Sequence, residues 1–523
     1  MKDLGAIVLA AGVGKRMRSK LVKVLHPVGG RPILLYALDL AERLAGEGVT
    51  VVVGYQSDKV RAVIEASRLR QRPSTIRIVE QAEQLGTGHA VMQARKALTR
   101  QAGTRAPAPA GTYLILNGDT PLLTDDTVRR LLRRHEDDKA VVTVLTAFLP
   151  DPCGYGRVVR ASDDAQRDGG VLRIVEDQDA SAAESRVSEV NVGTYVVNGQ
   201  FLFEALDKLD PENAQGEYYL TDIVELAISK GLRVSAMRTH NPDEALGINT
   251  RQQLAMAERV VRERIRIHWM GDGVTMQDPA STFIDWDVTI GRDTVLYPNV
   301  ALEGRTSIGE DCVIRSHTRI TDSVLGRGVM VLDSCVMRES RLEDGAVVGP
   351  FAHLRPGSVV RRTAKVGNFV EMKKAELGEG SKANHLTYLG DARIGKEVNI
   401  GAGTITCNYD GFGKYETVVE DGVFIGSDTQ LIAPVKVGRG AVVGAGSTIT
   451  HDVPADALAI GRAAQVNRSG WAARRRALQT GEGLGVKGEA KVRKPLTPHP
   501  SRLTKKSPAA HRKQTRLKGK AKG

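Results

Sequence analysis

From Ile290 onward, apolar residues return every six positions, as Ile290, Leu296, Leu302, Ile308, Ile314 and Ile320. The phase slips, then resumes as Leu342, Val348, Leu354, Val360 and Val366, as Ile394 and Ile400, and as Ile425, Leu431, Val437, Val443 and Ile449. Six is neither a helical nor a coiled-coil period. It suits a triangular parallel β-solenoid, in which each flat side takes one hexapeptide and each inward aliphatic side chain stacks on the next coil. Gly follows several of these residues, in the IG pairs at 290, 308, 394 and 425. The rhythm breaks at Glu371–Gly390 and Cys407–Val423, where loops are expected to leave the coil. Loops on a rigid solenoid are natural places for chemistry.

The solenoid pattern claims only the C-terminal half, and 523 residues are too many for a single core. Ahead of it, Ala6–Ala10, Val49–Gly54, Ile76–Glu80, Tyr113–Asp119 and Val141–Leu145 read as buried parallel strands. They alternate with helical stretches such as Pro32–Leu44 and Thr124–His135, which argues an open, Rossmann-like α/β sheet. The Ala/Pro-rich Gln101–Gly111 segment reads as a surface loop. Arg251–Met270 has long-chain helix formers and no internal Gly or Pro, as a helix connecting two domains would. The expected organisation is a domain over 1–250, a linker helix over 251–271, a β-helix over 272–470 and a basic tail over 471–523.

Aromatic residues are only 4% of the chain and glycines number 55, as a repetitive β architecture would have it. The net charge of +13 suggests a nucleic-acid binder until it is located. Between Arg474 and Gly523 there are 16 Lys and Arg against 2 acidic residues, so the rest of the chain sums to about −1. The charge therefore belongs to the tail. Its Lys, Pro, Ser and Gly cannot bury enough to offset chain entropy, so it is expected to be disordered, with cations suited to polyanions. At the N-terminus the cations follow the apolar run, unlike a secretory leader, and no run reaches membrane-spanning length. Cys153, Cys312, Cys335 and Cys407 show no CxxC spacing, so free thiols in a cytoplasmic protein are expected.

Leu9–Met17 (LAAGVGKRM) follows the first strand directly. Its glycines let backbone N–H groups approach a nucleotide, and Lys15, Arg16 and Lys23 can meet phosphates. A dinucleotide-binding turn would need Gly where Met17 stands, and the spacing is not that of a Walker loop. Asp119, in NGDTPLL, falls at the end of a central strand, where α/β sheets bind ligands. It is a natural Mg²⁺ ligand, because Thr124 serves better as the cap of the following helix.

These motifs, with KVLH (Lys23–His26), QAEQLGTGHA (Gln81–Ala90), GYGRV (Gly154–Val158), VNVGTY (Val190–Tyr195) and QGEYYLTD (Gln215–Asp222), resemble the sugar-nucleotidyltransferase domain of bifunctional UDP-N-acetylglucosamine pyrophosphorylases. The resemblance covers Asp3–Thr250. It implies that Leu9, Ala10, Ala11 and Gly12, with Gln81, Gly86 and Thr87, hold the uridine, and that Arg16 and Lys23 hold the triphosphate. Gly156, Glu176 and Asn191 would contact the sugar, and Asp119 and Asn249 would bind Mg²⁺. Lys15 and Val22 stand where the family usually has Thr and Pro. A sugar phosphate is already an anionic nucleophile, so the chemistry needs in-line positioning and charge neutralisation rather than a base.

In the solenoid, FAHLRPG (Phe351–Gly357), GNFVEMKKA (Gly367–Ala375), KANHLTYLGD (Lys382–Asp391), VNIGAGTITCNYDG (Val398–Gly411) and VFIGSDTQLIAP (Val423–Pro434) resemble the left-handed β-helix acetyltransferase half of the same family. Acetyl transfer to an amine needs a base of near-neutral pKa, and His is the usual one. The resemblance makes His385 that base, with Glu371 its orienting partner. It places Arg355 and Lys373 on the sugar phosphate, Tyr388 and Asn399 on the sugar, and Ala402, Asn408, Tyr409, Ser427, Ala445 and Arg462 around acetyl-CoA. The oxyanion stabiliser is left between a backbone N–H and Ser427, and Cys407 reads as a buried small residue rather than a nucleophile. The resemblance further implies a homotrimer through the β-helix, with the acetyl site completed by a neighbouring chain, small-molecule substrates, and a role in peptidoglycan synthesis.

Two other classes compete. One is a nucleotidyltransferase whose β-helix is only an oligomerising or regulatory scaffold, which would lack His385 and the NHLTYLGD and CNYDG strings. The other is an RNA-binding protein with a basic tail, which leaves both motif sets idle.

Overall fold

A computed structural model of the chain describes residues 3–68, 76–99, 111–161 and 170–480. Apart from Gly111, the loop expected at Gln101–Gly111 lies outside the described residues, as does Gly481–Gly523. Met1–Arg462 forms one compact unit and Ala463–Gly523 a second.

The N-terminal sheet runs in the order Val234–Arg238, Val142–Phe148, Glu189–Asn198, Thr112–Asn117, Leu4–Ala10, Val49–Val53, Arg77–Glu80. All the strands expected from sequence are present and run the same way. Glu189–Asn198 is an addition, inserted antiparallel between Thr112–Asn117 and Val142–Phe148. Its alternation is interrupted by a bulge between Asn191 and Tyr195. Gly193 sits there at φ +77°, and a Cβ on it would lie 2.1 Å from Asn117 Nδ2. Arg77–Glu80 was expected to be buried but is the sheet edge, so its residues are half-buried to exposed.

Period-two alternation sends Ala6, Val8 and Ala10 to one helical layer and Ile7 to the other, giving a three-layer sandwich. Ile33–Ala45 and Asp125–Asp137 pack on the first face, Thr87–Thr99 and Gly199–Leu206 on the second. Thr124 caps its helix by accepting the Thr127 N–H, which leaves Asp119 free of that duty.

The connecting helix, Arg251–Gly271, starts with a capping box between Thr250 and Gln253. Its buried stripe Ala257, Val260, Val261 and Ile265 joins Val28, Tyr36 and Leu122 of the N-terminal sandwich to Val274, Met276 and Ile284 of the first coil. One apolar cluster thus runs from the sandwich through the helix into the whole β-helix interior.

All the hexad residues read from sequence point inward and are buried. Parallel strands stack into a left-handed β-helix, with one face a continuous ladder from Thr275–Met276 to Leu458–Ala459. Phe283 pairs with Ala301 and Val295 with Val313, a rise of 18 residues per coil. From Ser307–Val324 and Val313–Met330 onward many coils take 17. The IG glycines are required by this stacking: a Cβ on Gly309 would lie 2.6 Å from Gly326 O. The connecting helix plugs one end of the stack, whereas Leu458 and Ile460 at the other are 65% and 56% exposed.

No loop leaves the coil at Glu371–Gly390, contrary to expectation. Glu371 sits beside Tyr388 and Lys382 beside Asn399, in unbroken 17-residue register. The inward positions there are Val366, Met372, Leu377, Ala383, Leu389 and Ile394, so one side of the triangle takes five residues instead of six. A five-residue side shifts the count without opening the coil. The second break is a true excursion: Ile405–Cys407 and Thr417–Val419 are consecutive strands, and Asn399 meets Phe424 only after 25 residues.

Trp471–Thr480, assigned from sequence to the disordered tail, is a helix with no buried residue. Its Ala, Arg, Leu and Gln are strong helix formers, which outweighs the lack of a core.

Candidate functional sites

The first strand, the Thr112–Asn117 strand and the loops beyond their carboxyl ends surround a cavity of about 740 Å³. Leu9, Ala10, Ala11, Gly12, Arg16, Lys23, Gln81, Gly86, Thr87, Asp119, Glu176 and Asn249 all line it. Gly156 and Asn191 line an adjoining recess of about 190 Å³, which shares Asp119, Glu176 and Asn249 with the larger space. Every residue expected in the nucleotide and sugar site is therefore brought to one crevice.

Its centre is a cation held by two oxygens. Lys23 Nζ donates to Asp119 Oδ2 at 2.5 Å and to Asn249 Oδ1 at 3.0 Å. Asp119 lies two residues past its strand, in a turn that Gly118 anchors by donating to Leu9 O at 2.8 Å. Gly14, at φ +67°, gives Lys23 room, since a Cβ there would lie 2.6 Å from the lysine Cβ. Gln81 donates to Gly86 O at 3.0 Å, closing the turn at the cavity wall. Two hard oxygens converging on one positive charge also fit a divalent metal. Among the described residues no cluster of three His, Cys, Asp or Glu side chains is arranged to hold one, so phosphate oxygens and water would complete the coordination.

In the recess, Asn191 donates to Tyr195 Oη at 2.6 Å and accepts the Gly193 N–H at 2.9 Å, which orients its amide. Thr221 donates to Glu176 at 3.1 Å, and burial, then the neighbouring Asp179, pushes the Glu176 carboxyl above its usual range. Burial, followed by Glu176, also raises the nearby Asp222 to about 6. Sequence reasoning missed Tyr155, Tyr195 and Thr221, which line this recess. Their motifs were visible, but not which of their residues face inward.

The second site is built on the outside of the β-helix. His385 ends the strand Lys382–His385 and is exposed. Its Nδ1 lies 2.7 Å from Asn368 Oδ1, the residue directly beside it in the preceding coil. The orienting partner is therefore Asn368. Glu371 is instead occupied by Arg355, whose Nη1 donates to its Oε1 at 2.8 Å; that hydrogen bond raises the Arg355 pKa.

Lys373 lies near Arg355, and its ammonium pKa is lowered, first by contact with Lys414 and then by that residue's charge. Lys414, missed in the sequence, comes from the excursion between Cys407 and Thr417. Three cations gathered on an exposed surface suit a phosphate. Tyr388 stands beside Glu371 in the next coil, and Asn399 follows beside Lys382. Asn408 donates to Asp391 at 2.5 Å and fixes the root of the excursion, while Tyr409 is exposed.

Ala402, Ser427, Ala445 and Arg462 form a column along one corner. Asp428 N donates to Ala402 O at 2.7 Å, Gly446 N to Ser427 O at 2.8 Å, and the Arg462 guanidinium to Ala445 O. Cys407 is half-buried rather than buried, and burial raises its thiol pKa, which disfavours a thiolate nucleophile. All four cysteines are free.

Residues 6–182 match the MobA-like NTP transferase domain, and residues 287–322 and 416–451 match the bacterial transferase hexapeptide repeat. Three full-length relatives carry the name Bifunctional protein GlmU. The protein from Shouchella clausii is 48% identical over 466 residues, 89% of this chain and 98% of that protein. The one from Trichlorobacter lovleyi is 49% identical over 471 residues, 90% and 98% of the respective chains. The one from Geobacter metallireducens is 46% identical over 493 residues, 91% and 100%.

Proposed function

The chain belongs to the family of bifunctional GlmU proteins, and from that premise we infer that its two sites carry successive transfers. On the β-helix the enzyme acetylates glucosamine-1-phosphate with acetyl-CoA. In the α/β crevice it then transfers UMP from UTP to N-acetylglucosamine-1-phosphate, giving UDP-N-acetylglucosamine and pyrophosphate. The observation that carries this reading over a scaffold-only β-helix is His385, oriented by Asn368, on a β-helix that also gathers the cations Arg355, Lys373 and Lys414.

In the acetyl site the phosphate of the acceptor is assigned to Arg355, Lys373 and Lys414, and its sugar to Tyr388 and Asn399. His385 takes the amine proton on Nε2, the nitrogen opposite its bond to Asn368, and the freed lone pair attacks the thioester carbonyl; the C–N bond forms, the C–S bond breaks, and the departing CoA thiolate takes up the proton held by His385. Acetyl-CoA is assigned to the corner column Ala402, Ser427, Ala445 and Arg462, with Asn408 and Tyr409. In the crevice, Leu9–Gly12, Gln81, Gly86 and Thr87 take the uridine, while Glu176, Asn191 and Gly156 take the sugar. Arg16 and Lys23 neutralise phosphate charge. Family membership implies a divalent metal; we assign Mg²⁺ to Asp119 and Asn249, where it would supply further charge neutralisation at the phosphates. These roles divide between 1–250 and 272–470, with 251–271 the linker and 471–523 a tail outside the catalytic parts.

Hexapeptide β-helices support oligomerisation, and we assign a trimer. Support comes from an exposed apolar ladder beside His385: the Phe351 and Phe369 rings stack at 5.3 Å, and with Leu386 they are 52%, 56% and 62% exposed. No helix among the described residues is long and apolar enough to cross a membrane; cytoplasmic residence is part of the same proposal, as is a tail that binds polyanions.

Two assays on the purified protein test this. Acetyl-CoA should be consumed only with glucosamine-1-phosphate present, and pyrophosphate should be released from UTP only with N-acetylglucosamine-1-phosphate and a divalent cation. Pyrophosphate release without any acetyl-CoA consumption would leave the β-helix a scaffold.

A further inference from the structure

The groups that meet at the centre of the crevice are fastened to the connecting helix and the first coil rather than to their own sheet alone. Lys23 opens a short turn, Lys23–Leu25, that leads into the hairpin Pro27–Val28 and Arg31–Pro32. The tip of that hairpin leaves the sandwich and is gripped from two sides. Gly29 N donates to Glu258 Oε2 of the connecting helix at 2.6 Å, and Gly29 O accepts the N–H of Trp286, on the first coil, at 2.8 Å.

The grip is close-packed. A Cβ on Gly30, at φ +73°, would lie 2.3 Å from the Asp285 carboxylate, also on the first coil. Arg262 completes it by pairing with Glu258 at 2.6 Å and Asp285 at 3.6 Å. Tyr36 donates to Val28 O at 2.8 Å and meets Trp286 edge-on at 5.0 Å.

The other partner of Lys23 is fastened to the same helix. Asn249 N donates to the Gln253 side chain at 2.8 Å, inside the helix's capping box. Arg251, in the helix's first turn, donates to His26 Nδ1 at 3.2 Å, which ties the Lys23 turn to the Asn249 turn directly. Asp119 O accepts from Ile248 N at 3.0 Å. The chain segments that carry Lys23, Asp119 and Asn249 are thus each tied to the connecting helix or to the turn that leads into it.

We propose that Glu258 and Trp286 are positioning residues for uridylyl transfer: they clamp the Gly29 hairpin so that Lys23 is held against Asp119 and Asn249. Neither residue lines the crevice. Asp119 is held by the turn at the end of its strand and by Ile248; the spacing of Lys23 to it is set by the helix and by the first coil of the other half of the molecule. The inference rests on the uridylyl activity assigned above. Shifts of about 1 Å away from the reacting atoms cost up to about 100-fold in rate.

The experiment uses the full chain and measures both activities on the same preparation, with the divalent cation titrated in the uridylyl assay. Glu258→Ala should lower uridylyl kcat about 10-fold or more and raise the Mg²⁺ concentration needed for half-maximal rate, with acetyl transfer unchanged. Glu258→Gln, which keeps an acceptor for the Gly29 N–H, should recover most of the rate. Trp286→Leu should repeat the Glu258→Ala pattern more weakly, and it decides the matter if Glu258→Ala does not fold. The inference is overturned if folded variants keep the wild-type uridylyl rate and Mg²⁺ profile, or if both activities fall together. Absence of uridylyl transfer in the wild-type protein would instead overturn the activity assignment itself.

Discussion

At the scale of single residues, His385 depends on a neighbour that lies 17 positions away in sequence yet directly alongside in the fold. His385→Ala should cut acetyl transfer by about two to four decades, the loss expected for a general base. Asn368→Ala should lower kcat by about tenfold with little change in KM for glucosamine-1-phosphate, because the ring loses orientation while the phosphate ligands remain; equal acetyl kinetics would remove Asn368 from the site. The base itself was legible through its motif, but its partner was not, since the five-residue sides of the solenoid set which residues stack. Lys414 was hidden for another reason: it lies on an excursion whose path no periodicity describes. Asp222 shows a different residue-scale effect. Burial lifts its carboxyl to about 6 from an ordinary 3.8, so its contribution to stability is fully present below about pH 4 and is lost as pH rises through 6. Asp222→Asn should therefore raise Tm at pH 8 and leave it unchanged at pH 3.5. A Tm gain of the same size at both pH values would rule out the titration as its source.

At the scale of elements, the β-helix tolerates irregularity of two kinds with opposite outcomes. A side shortened by one residue is absorbed at a corner, as at Leu377 and Ile394, and the inward stack stays intact. An insertion is expelled, as between Cys407 and Thr417. This is why the hexad count revealed that a solenoid exists but misplaced one of its two expected loops. It also makes the excursion separable from the scaffold. Deleting Tyr409–Tyr415 would restore an 18-residue coil, so the protein should keep its Tm within a few degrees and retain uridylyl transfer. Acetyl transfer should fall to background, because Tyr409 and Lys414 leave with the loop. Substantial residual acetyl transfer would show that the excursion is not part of the site. In the sandwich, the parallel strands were legible as apolar runs, whereas Glu189–Asn198 was not, because the bulge at Gly193 breaks its alternation.

At the scale of the molecule, the two halves have separate chemistry and cores of their own, but the edge of the sandwich shares an apolar cluster with the connecting helix and the β-helix. Two cores were legible in the sequence because its two periodicities do not overlap; the helix stripe that joins them was visible only as a helix, not as a shared interface. Point changes in the acetyl site should still leave uridylyl transfer untouched, since that site lies on the far coils. Truncation after Gln479 should leave both activities near wild type, as the assigned residues end at Arg462; loss of either would give the tail a catalytic part. The β-helix itself is a column plugged at one end by the connecting helix and open at the other, where Leu458 and Ile460 meet solvent. A stack in which each coil rests only on its neighbours comes apart like a zipper. Fraying should start at Leu458 and advance toward Ile284, so amide protection should climb coil by coil along the axis. The acetyl column nearest the open end would then lose its shape first on heating, with acetyl transfer failing at a lower temperature than uridylyl transfer.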